Sequence, residues 1–312
     1  MEFFHKVTRF PFMSTRKVWY GLSAFLIVAS FALVAIRGLN LGVDFTGGVV
    51  VETNFVQAPN VESLRSELAS AGVAGAQVQI FGSSRDILVR LPPDPNAKGD
   101  QIGAHILEIF KKSDAGVKLQ RTEVVGPQVG RELFVKGGVA LGATLALILL
   151  YVLFRFTPKL SFGAIFAVLH DPICVVGFFA LTQMTFDLTA ISAVLAVIGY
   201  SLNDTVIVFD RIRERARTSR KLSISQVIDE SINQTLSRTL MTKLVTLLVV
   251  VALLIFGGET LRGFSAALVI GIIAGTYSSI YISSALSLDL GLQVEDLLER
   301  KATKPEEVDG LP

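Results

Sequence analysis

The chain has 312 residues, of which 51% are hydrophobic and 18% are charged, and its formal net charge is +2. Soluble domains carry about 25% charged residues, so this composition excludes a wholly soluble protein. The near-neutral charge gives no reason to expect nucleic acid as a partner. Because Cys174 is the single cysteine, an internal disulfide framework and a cysteine-rich metal site are also excluded.

Long apolar segments dominate the chain, and a helix that spans a bilayer needs about 20 such residues. Six segments qualify, at 18–36, 133–154, 160–181, 188–209, 239–256 and 264–288. The first follows Arg16 and Lys17, as the apolar part of a signal peptide would, but it is long and no small-residue cleavage site follows it. The sequence therefore predicts a polytopic α-helical membrane protein with six transmembrane helices.

Lysine and arginine concentrate on one side of the predicted membrane. That side holds Lys6, Arg9, Arg16, Lys17, Arg155, Lys159, the run 211–221, Arg238, Arg300, Lys301 and Lys304. The opposite short loops, 182–187 and 257–263, contain only Arg262. The positive-inside rule then places the N-terminus (1–17), a charged loop (210–238) and the C-terminal tail (289–312) in the cytoplasm. We interpret the loop as an anchor at the lipid surface, with docking of a cytoplasmic partner as the alternative, and expect the tail to be dispensable.

A polar insertion at 40–132 separates the first two spans and lies outside the cytoplasm in this topology. Its pattern predicts strands at 48–55, 78–81, 87–91 and 118–125. A helix capped by Asn60 and ending at Ala69, and a second helix at 100–112, complete the order β-α-β-β-α-β. This order is that of the split βαβ motif, so we expect a small α+β, ferredoxin-like extracytoplasmic domain.

Ionisable residues within the spans are costly in a bilayer and are therefore functional candidates. Asp171 lies near the middle of the third span, between His170 and Pro172. Asp204 lies in the fourth span, Arg238 opens the fifth, and Lys243 follows about one turn deeper. A buried carboxylate that binds and releases a proton beside a cation could couple proton flow to helix movement.

Each of these residues also has a structural interpretation. Asp204 and Arg238 could form a static ion pair, with Arg238 reaching towards water at the interface. Asp171 could satisfy the backbone groups that Pro172 leaves free. His170 is interpreted as a packed polar residue, and Lys243 as a side chain that extends to the membrane surface.

Small residues predict close helix packing. The pairs Gly138/Gly142 and Gly271/Gly275 have the spacing of helix–helix contacts, and Ser278 is expected to form hydrogen bonds between helices. The segment 42–48 after the first span indicates a tight turn at the membrane surface or, alternatively, a nest of amides for an anion.

Five motifs, in this order, resemble the SecF family: GVDFTGG at 42–48, GPQVGREL at 126–133, HDP at 170–172, GYSLNDTVIVFDRIRE at 199–214 and SINQTLSRTLMT at 231–242. The six-span layout with one external domain after the first span is also that of the family. The positions that match family motifs include Gly42, Asp44, Phe45, Gly47, Gly48, His170 and Asn203.

The resemblance implies a subunit that, with SecD, uses the proton motive force to promote protein export across the bacterial inner membrane, without enzyme activity. Protons are the coupling ion, and no cofactor is expected. Asp204 and Arg238 match the family's membrane aspartate and arginine, and Asp171 is a further proton-coupling candidate. The implied partners are SecD, the SecYEG translocon and unfolded exported polypeptides, with YajC-type and YidC-type membrane proteins as further candidates.

Three other functions remain open from the sequence. A proton-coupled small-molecule efflux module would require larger external domains and a second six-span half. A structural stabiliser of the translocase would require no proton coupling at all. An intramembrane aspartyl protease could use Asp171 and Asp204, but its Gly-x-Gly-Asp motif is absent before Asp204.

Overall fold

The computed structural model describes residues 8–73, 75–92, 99–219 and 221–298. The remainder of the predicted N-terminal segment and tail lies outside the described residues. So do five of the basic residues used for the topology, which are Lys6, Arg220, Arg300, Lys301 and Lys304.

The predicted fold class is confirmed: six long apolar helices accompany one small four-stranded domain. The elements in chain order are α1 (Arg16–Arg37), α2 (Val43–Thr46), β1 (Gly48–Asn54), α3 (Val61–Ser70), β2 (Gln77–Phe81), β3 (Ser83–Leu91), α4 (Gly99–Lys111), β4 (Lys118–Val125), α5 (Pro127–Arg155), α6 (Pro158–Thr182), α7 (Leu188–Thr218), α8 (Ile224–Phe256), α9 (Gly258–Tyr277), a π-helical turn (Ser278–Ile282) and α10 (Ser283–Asp289). Helix α9, the π-helical turn and α10 together form the sixth span. Each of the six spans is long and apolar enough to cross a membrane.

Three of the spans form the interior of the bundle. About half of the most apolar stretch is buried within the protein in α6 (50%), α7 (44%) and the sixth span (61%), against 11% in α1, 11% in α5 and 17% in α8. The latter three therefore present most of their apolar surface outwards, as helices do that face lipid or another subunit. Any polar group carried inwards by α6, α7 or α9 is consequently far from water.

The two glycine pairs have different surroundings. A Cβ atom on Gly271 would overlap the side chain of Val197, and one on Gly275 would lie 3.1 Å from the Asp171 carboxylate, so this pair allows α9 to pack closely on α7 and α6. A Cβ atom added to Gly138 or Gly142 would have no atom from another part of the described chain within 4 Å. The packing prediction is therefore confirmed for Gly271 and Gly275 only.

The segment 210–238 is not a loop, which corrects the prediction. Helix α7 continues to Thr218 and α8 begins at Ile224, so only 219–223 lie outside the two helices. Ser223 caps α8 through a reciprocal pair of hydrogen bonds with Gln226. The helical hairpin folds because Ile212 and Ile228 are fully buried against the other residues at this end of the bundle.

The first part of the C-terminal tail, up to residue 298, is packed against the bundle, while the dispensability expected of the tail stays a prediction. Leu292 and Leu297 are buried in the same apolar cluster as Met13 and Phe209. Lys159 Nζ lies 2.7 Å from a carboxylate oxygen of Asp296, and this hydrogen bond holds the pKa of Asp296 below its ordinary value. The described tail and the segment around Met13 thus both pack against the helical hairpin.

The small domain has the predicted β-α-β-β-α-β order. Its four strands form an antiparallel sheet in the order β2-β3-β1-β4, and residues of α3 and α4 share one apolar core with it, including Leu64, Leu68, Ile106 and Phe110. Asn60 caps α3 as predicted, because its side chain accepts hydrogen bonds from the amides of Glu62 and Ser63. The opposite face of the sheet is directed towards α2 and the turn between α6 and α7.

The close approach of α9 to α7 generates a stability prediction. Gly271→Ala places a methyl group against Val197 and should lower stability by about 1–3 kcal/mol, the usual cost of overpacking. Gly142→Ala, in open space, should be neutral or slightly stabilising because alanine favours the helix. Thermal unfolding in detergent measures both, and equal melting temperatures for the two variants would contradict this packing.

Candidate functional site

Asp204 forms a buried ion pair inside the bundle. Its Oδ2 lies 2.7 Å from Nζ of Lys243 on α8, and both side chains are only 4% exposed. Within the described residues neither of these atoms has a hydrogen bond of good geometry, so the contact is mainly an attraction between charges. Because Lys243 is buried, its interpretation as a side chain that reaches the membrane surface is wrong.

Arg238 is not the cation beside Asp204. It is exposed on the outer side of α8, whereas Lys243 faces α7. Five residues advance a helix by about 140° beyond one full turn, so these two side chains must point in different directions. The prediction that Asp204 pairs with Arg238 is therefore wrong, because the cation beside Asp204 is Lys243. Asn203, the neighbour of Asp204, is exposed like Arg238.

Tyr200 completes the surroundings of the ion pair, and the sequence analysis missed it. It lies one turn before Asp204 on α7, with its ring centroid 4.6 Å from Nζ of Lys243, within the range of a cation–π contact. The ring is held in place because the Tyr200 hydroxyl donates to the Thr242 carbonyl at 2.9 Å and lies 2.7 Å from the Thr246 hydroxyl. Lys243 is thus held between a carboxylate and an aromatic face.

A second buried polar cluster surrounds Asp171 on α6. Its Oδ1 lies 3.0 Å from Nδ1 of His170, and its Oδ2 accepts hydrogen bonds from the hydroxyls of Ser201 at 2.5 Å and Ser278 at 3.0 Å. His170 and Asp171 are 1% and 0% exposed. All these bonds are to side chains, so they do not support the interpretation of Asp171 as a partner of backbone groups freed by Pro172.

The Asp171 cluster joins three interior spans. Ser201 belongs to α7 and lies one turn before Asp204, and Thr205, next to Asp204, donates to the Ser201 carbonyl. Ser278 begins the π-helical turn and binds another helix, as predicted for it. The two buried aspartates therefore lie on neighbouring helices, and Ser201 connects them because it binds Asp171 and precedes Asp204 on α7.

The glycine-rich segment 42–48 fastens the external domain to the start of α7. Asp44 Oδ2 accepts a hydrogen bond of 3.0 Å from the amide of Leu188, the first residue of α7. The amide of Gly42 donates to the Phe186 carbonyl at 2.9 Å. A helix N-terminus attracts negative charge, so the Asp44 carboxylate stabilises the start of α7. It is a tight turn, as the first interpretation proposed.

The remaining residues of this segment explain its composition. Phe45 is buried and packs edge-to-face against Phe134 of α5. Gly47 and Gly48 have φ angles of +70° and +126°, which side chains rarely adopt, and a Cβ on Gly48 would overlap the Leu91 carbonyl. A Cβ on Gly130 of α5 would lie 2.8 Å from the Gly47 amide. The segment thus ties β1, α5 and α7 together at one point.

Arg90 provides a second link between the external domain and the bundle. From β3, its guanidinium donates to the Asn40 side chain at 3.0 Å, the Leu41 carbonyl at 3.1 Å and the Thr185 hydroxyl at 3.4 Å. Burial lowers the pKa of Arg90 below its ordinary value. A cavity of about 320 Å³ lies beside these contacts, between the open face of the sheet and the turn between α6 and α7.

Buried carboxylates of this kind can also bind metal ions, which require several ligands in one place. In the described part of the chain, His, Cys, Asp and Glu residues form no group of three or more that could hold one.

Comparisons with known families agree with the motifs. A family described as "Protein export membrane protein SecD/SecF, C-terminal" matches residues 105–293, and one described as "SecD/SecF GG Motif" matches residues 32–59. The second match contains the glycine-rich segment that ties the external domain to α7.

Curated relatives are similar over nearly the whole chain. The chain is 43% identical to the protein translocase subunit SecF of Pseudomonas aeruginosa, covering 95% of this chain and 96% of the relative. It is 46% identical to that of Vibrio alginolyticus, covering 94% and 93% of the two chains.

A solved structure has the same arrangement. SecDF of Thermus thermophilus, described as a translocon-associated membrane protein, is 38% identical and superposes with a TM-score of 0.82 over 91% of this chain. This chain corresponds to only 39% of that longer chain. With a structure titled SecDF in super-membrane-facing form, the TM-score is 0.67. Together these matches show that the chain belongs to the SecF family of protein translocase subunits, multi-pass transport proteins of the cytoplasmic membrane rather than enzymes.

Proposed function

We propose that this chain, paired with a SecD subunit, uses the proton motive force to promote the export of polypeptides through the Sec translocase. The observation that carries the proposal is the ion pair of Asp204 and Lys243, two charges buried in a bundle of apolar helices. Charges in such surroundings are expensive and are retained where they take part in proton or ion movement. Protons are the coupling ion, and the proposal needs no cofactor.

Proton binding to Asp204 would change the balance of charge in the bundle. With Asp204 ionised, its charge and that of Lys243 offset one another. With Asp204 protonated, Lys243 is left as a buried, uncompensated cation, a change that costs about 3–5 kcal/mol in comparable buried pairs. The bundle can avoid this cost by moving α7 relative to α8, so that Lys243 reaches another partner or water. Protonation therefore favours a second arrangement of the helices.

The proton motive force is large enough to drive such a change. One proton that crosses about 180 mV releases about 4 kcal/mol. That free energy shifts an equilibrium between two arrangements by about a thousandfold, since each 1.4 kcal/mol corresponds to tenfold.

Helix α7 offers a direct route from the ion pair to the external domain. It is continuous from Leu188, whose amide binds Asp44, to Asp204 and beyond. A tilt or axial shift of α7 would therefore displace the glycine-rich segment and, with it, β1. Arg90 holds the same part of the domain to the turn that precedes α7. We propose that movement of the domain acts on the emerging polypeptide.

The other candidate residues have separate roles in the proposal. Asp171 and His170 form a second proton-handling cluster, which Ser201 connects to α7. Arg238 and Asn203 lie on the outer surface of the bundle, where a SecD subunit would pack, and Arg238 would there meet a carboxylate of that subunit.

The proposed topology places both termini in the cytoplasm and the external domain on the periplasmic side of the inner membrane. It is supported by the distribution of basic residues, of which Arg16, Arg155 and Lys159 lie at the end of the bundle opposite the domain. SecYEG and unfolded exported polypeptides are the proposed partners, with YajC-type and YidC-type proteins as further candidates.

Asp204→Asn should abolish the response of export to a proton gradient. Asparagine imitates the protonated carboxyl and cannot release a proton at any working pH. Translocation intermediates would be formed with ATP in vesicles that contain the chain and SecD, and their gradient-driven completion followed after ATP is removed. We expect that rate to fall by about tenfold or more, equal to at least about 1.4 kcal/mol of barrier. Asp210→Asn, on the exposed part of α7, is the matched control and should behave as wild type.

A double variant separates proton coupling from a purely structural ion pair. Asp204→Asn alone leaves Lys243 unpaired, whereas Asp204→Asn combined with Lys243→Met replaces the pair by neutral side chains of similar size, a change that is often tolerated. The proposal predicts that the double variant assembles with SecD and melts near the wild-type temperature, but stays insensitive to the gradient. If its gradient-driven export returns, the pair only stabilises the bundle.

Asp44→Ala should separate proton movement from export. Without the hydrogen bond to Leu188, a shift of α7 is expected to displace the external domain less, because the remaining contacts of Gly42 and Arg90 are with the turn before α7 rather than with α7 itself. Proton flux into liposomes, read with an internal pH dye, should persist, while gradient-driven export falls several-fold. Asp114→Ala, which also removes a carboxylate bound to backbone amides but lies within the domain, should leave both intact. Normal export by Asp44→Ala would show that force does not pass through this contact.

A further inference from the structure

Tyr277 is a polar partner of the Asp171 cluster that lies outside the five sequence motifs and outside the ion pair of Asp204 and Lys243. It is the last residue of α9, and its hydroxyl oxygen lies 2.5 Å from Nε2 of His170. On its other side, the hydroxyl of Ser23 on α1 donates to the Tyr277 oxygen at 3.4 Å. Tyr277 thus joins α1 to the interior helix α6.

Ser23, Tyr277, His170 and Asp171 form a row of hydrogen bonds in which all donors point the same way. An ionised Asp171 can only accept, so Nδ1 of His170 carries the proton of the 3.0 Å contact between them. If the imidazole is neutral, Nε2 is the unprotonated ring nitrogen and accepts from the hydroxyl of Tyr277. Since that hydroxyl accepts from Ser23, every donor in the row Ser23, Tyr277, His170 points towards Asp171.

A π-helical turn lies next to the row. Tyr277 directly precedes this turn, and Ser278, its first residue, binds the other oxygen of Asp171. Two consecutive side chains therefore serve the same His170–Asp171 pair. π-Helical turns are rare in proteins, and many of those that exist lie at functional sites.

The ring of Tyr277 is fixed by packing rather than by its hydroxyl. It stacks on Trp19 with centroids 5.8 Å apart and meets the ring of His170 edge-to-face at 5.3 Å. The titratable groups of the described chain that face it are His170, Asp171 and Cys174, all on α6, with the Cys174 sulfur 3.5 Å from Nε2. On the α1 side it contacts Trp19 and Ser23, and neither of these residues titrates.

We infer that Tyr277 is a proton relay that connects Asp171 with the α1 side of the bundle. A proton arriving at the Ser23 oxygen is matched by transfer of the Ser23 proton to Tyr277, of the Tyr277 proton to Nε2, and of the Nδ1 proton to Asp171. One proton enters, Asp171 becomes a carboxylic acid, and His170 changes tautomer, with its ring proton now on Nε2 instead of Nδ1. The row is reset when the hydroxyls rotate back and His170 returns to the tautomer that is protonated on Nδ1. This role rests on the proposed proton coupling and extends it to a residue outside the motifs.

Tyr277→Phe tests the relay because it removes the hydroxyl and keeps the ring on Trp19. In vesicles that contain the chain with SecD, gradient-driven export and proton flux should fall by about tenfold or more, with assembly and ATP-driven export unchanged. Tyr281→Phe is the matched control, because Tyr281 also stacks on Trp19, at 4.2 Å, and should behave as wild type. Wild-type rates for Tyr277→Phe would overturn the relay.

A second measurement separates transfer from packing and does not depend on Tyr277→Phe assembling. Incorporation of 3-fluorotyrosine at position 277 makes the hydroxyl more acidic with little change in shape. The relay predicts a shifted pH profile of the gradient-driven rate, and an unchanged profile would overturn it.

If Asp204→Asn keeps its response to the gradient, the proposed function fails. If Asp204→Asn loses that response and both changes at Tyr277 have no effect, the relay alone fails.

Discussion

Two opposite charges, on Asp204 and Lys243, lie 2.7 Å apart in the interior of the bundle, and the rest of the account depends on the cost of placing them there. Each charge is tolerable because the other is close and because Tyr200 shields the lysine with its ring. In the proposed function, a single proton on Asp204 removes this compensation. The ion pair would then make the packing of α7 against α8 sensitive to proton binding, which a pair of apolar residues in the same positions would not do.

The surrounding structure connects this sensitivity to the exterior. Helix α7 carries Asp204 in its interior part and binds Asp44 at its first residue, and the glycines that follow Asp44 allow β1 to begin immediately. At the other end, α7 continues into the helical hairpin that packs with the chain ends. A rigid element with fixed contacts at one end can transmit a small shift over its length, whereas a flexible linker at this position would absorb it.

Much of the fold could be predicted from the sequence, because hydropathy and strand alternation are local signals. The six spans and the β-α-β-β-α-β order follow from them, and the Asn60 cap follows from the preference of helix starts for asparagine. The partner of Asp204 could not be predicted, since the position of a residue along α8 does not reveal which face of that helix meets α7. The contact of Tyr277 with His170 could not be predicted either, because it depends on how α9 packs against α6. The links through Arg90 and Asp44 depend on contacts between distant segments.

The most direct test of the central claim is infrared spectroscopy of the complex with SecD, which reports protonation of carboxyl groups. Spectra would be recorded as pH is lowered in the wild type, in Asp204→Asn and in the control Asp210→Asn. The account predicts that the wild type and the control develop a buried carboxylic acid band from Asp204, beside any contribution from Asp171, together with shifts in helix bands. The Asp204 contribution and the helix shifts should both be missing in Asp204→Asn. An unchanged band in Asp204→Asn would show that Asp204 does not take up the proton and would contradict the account.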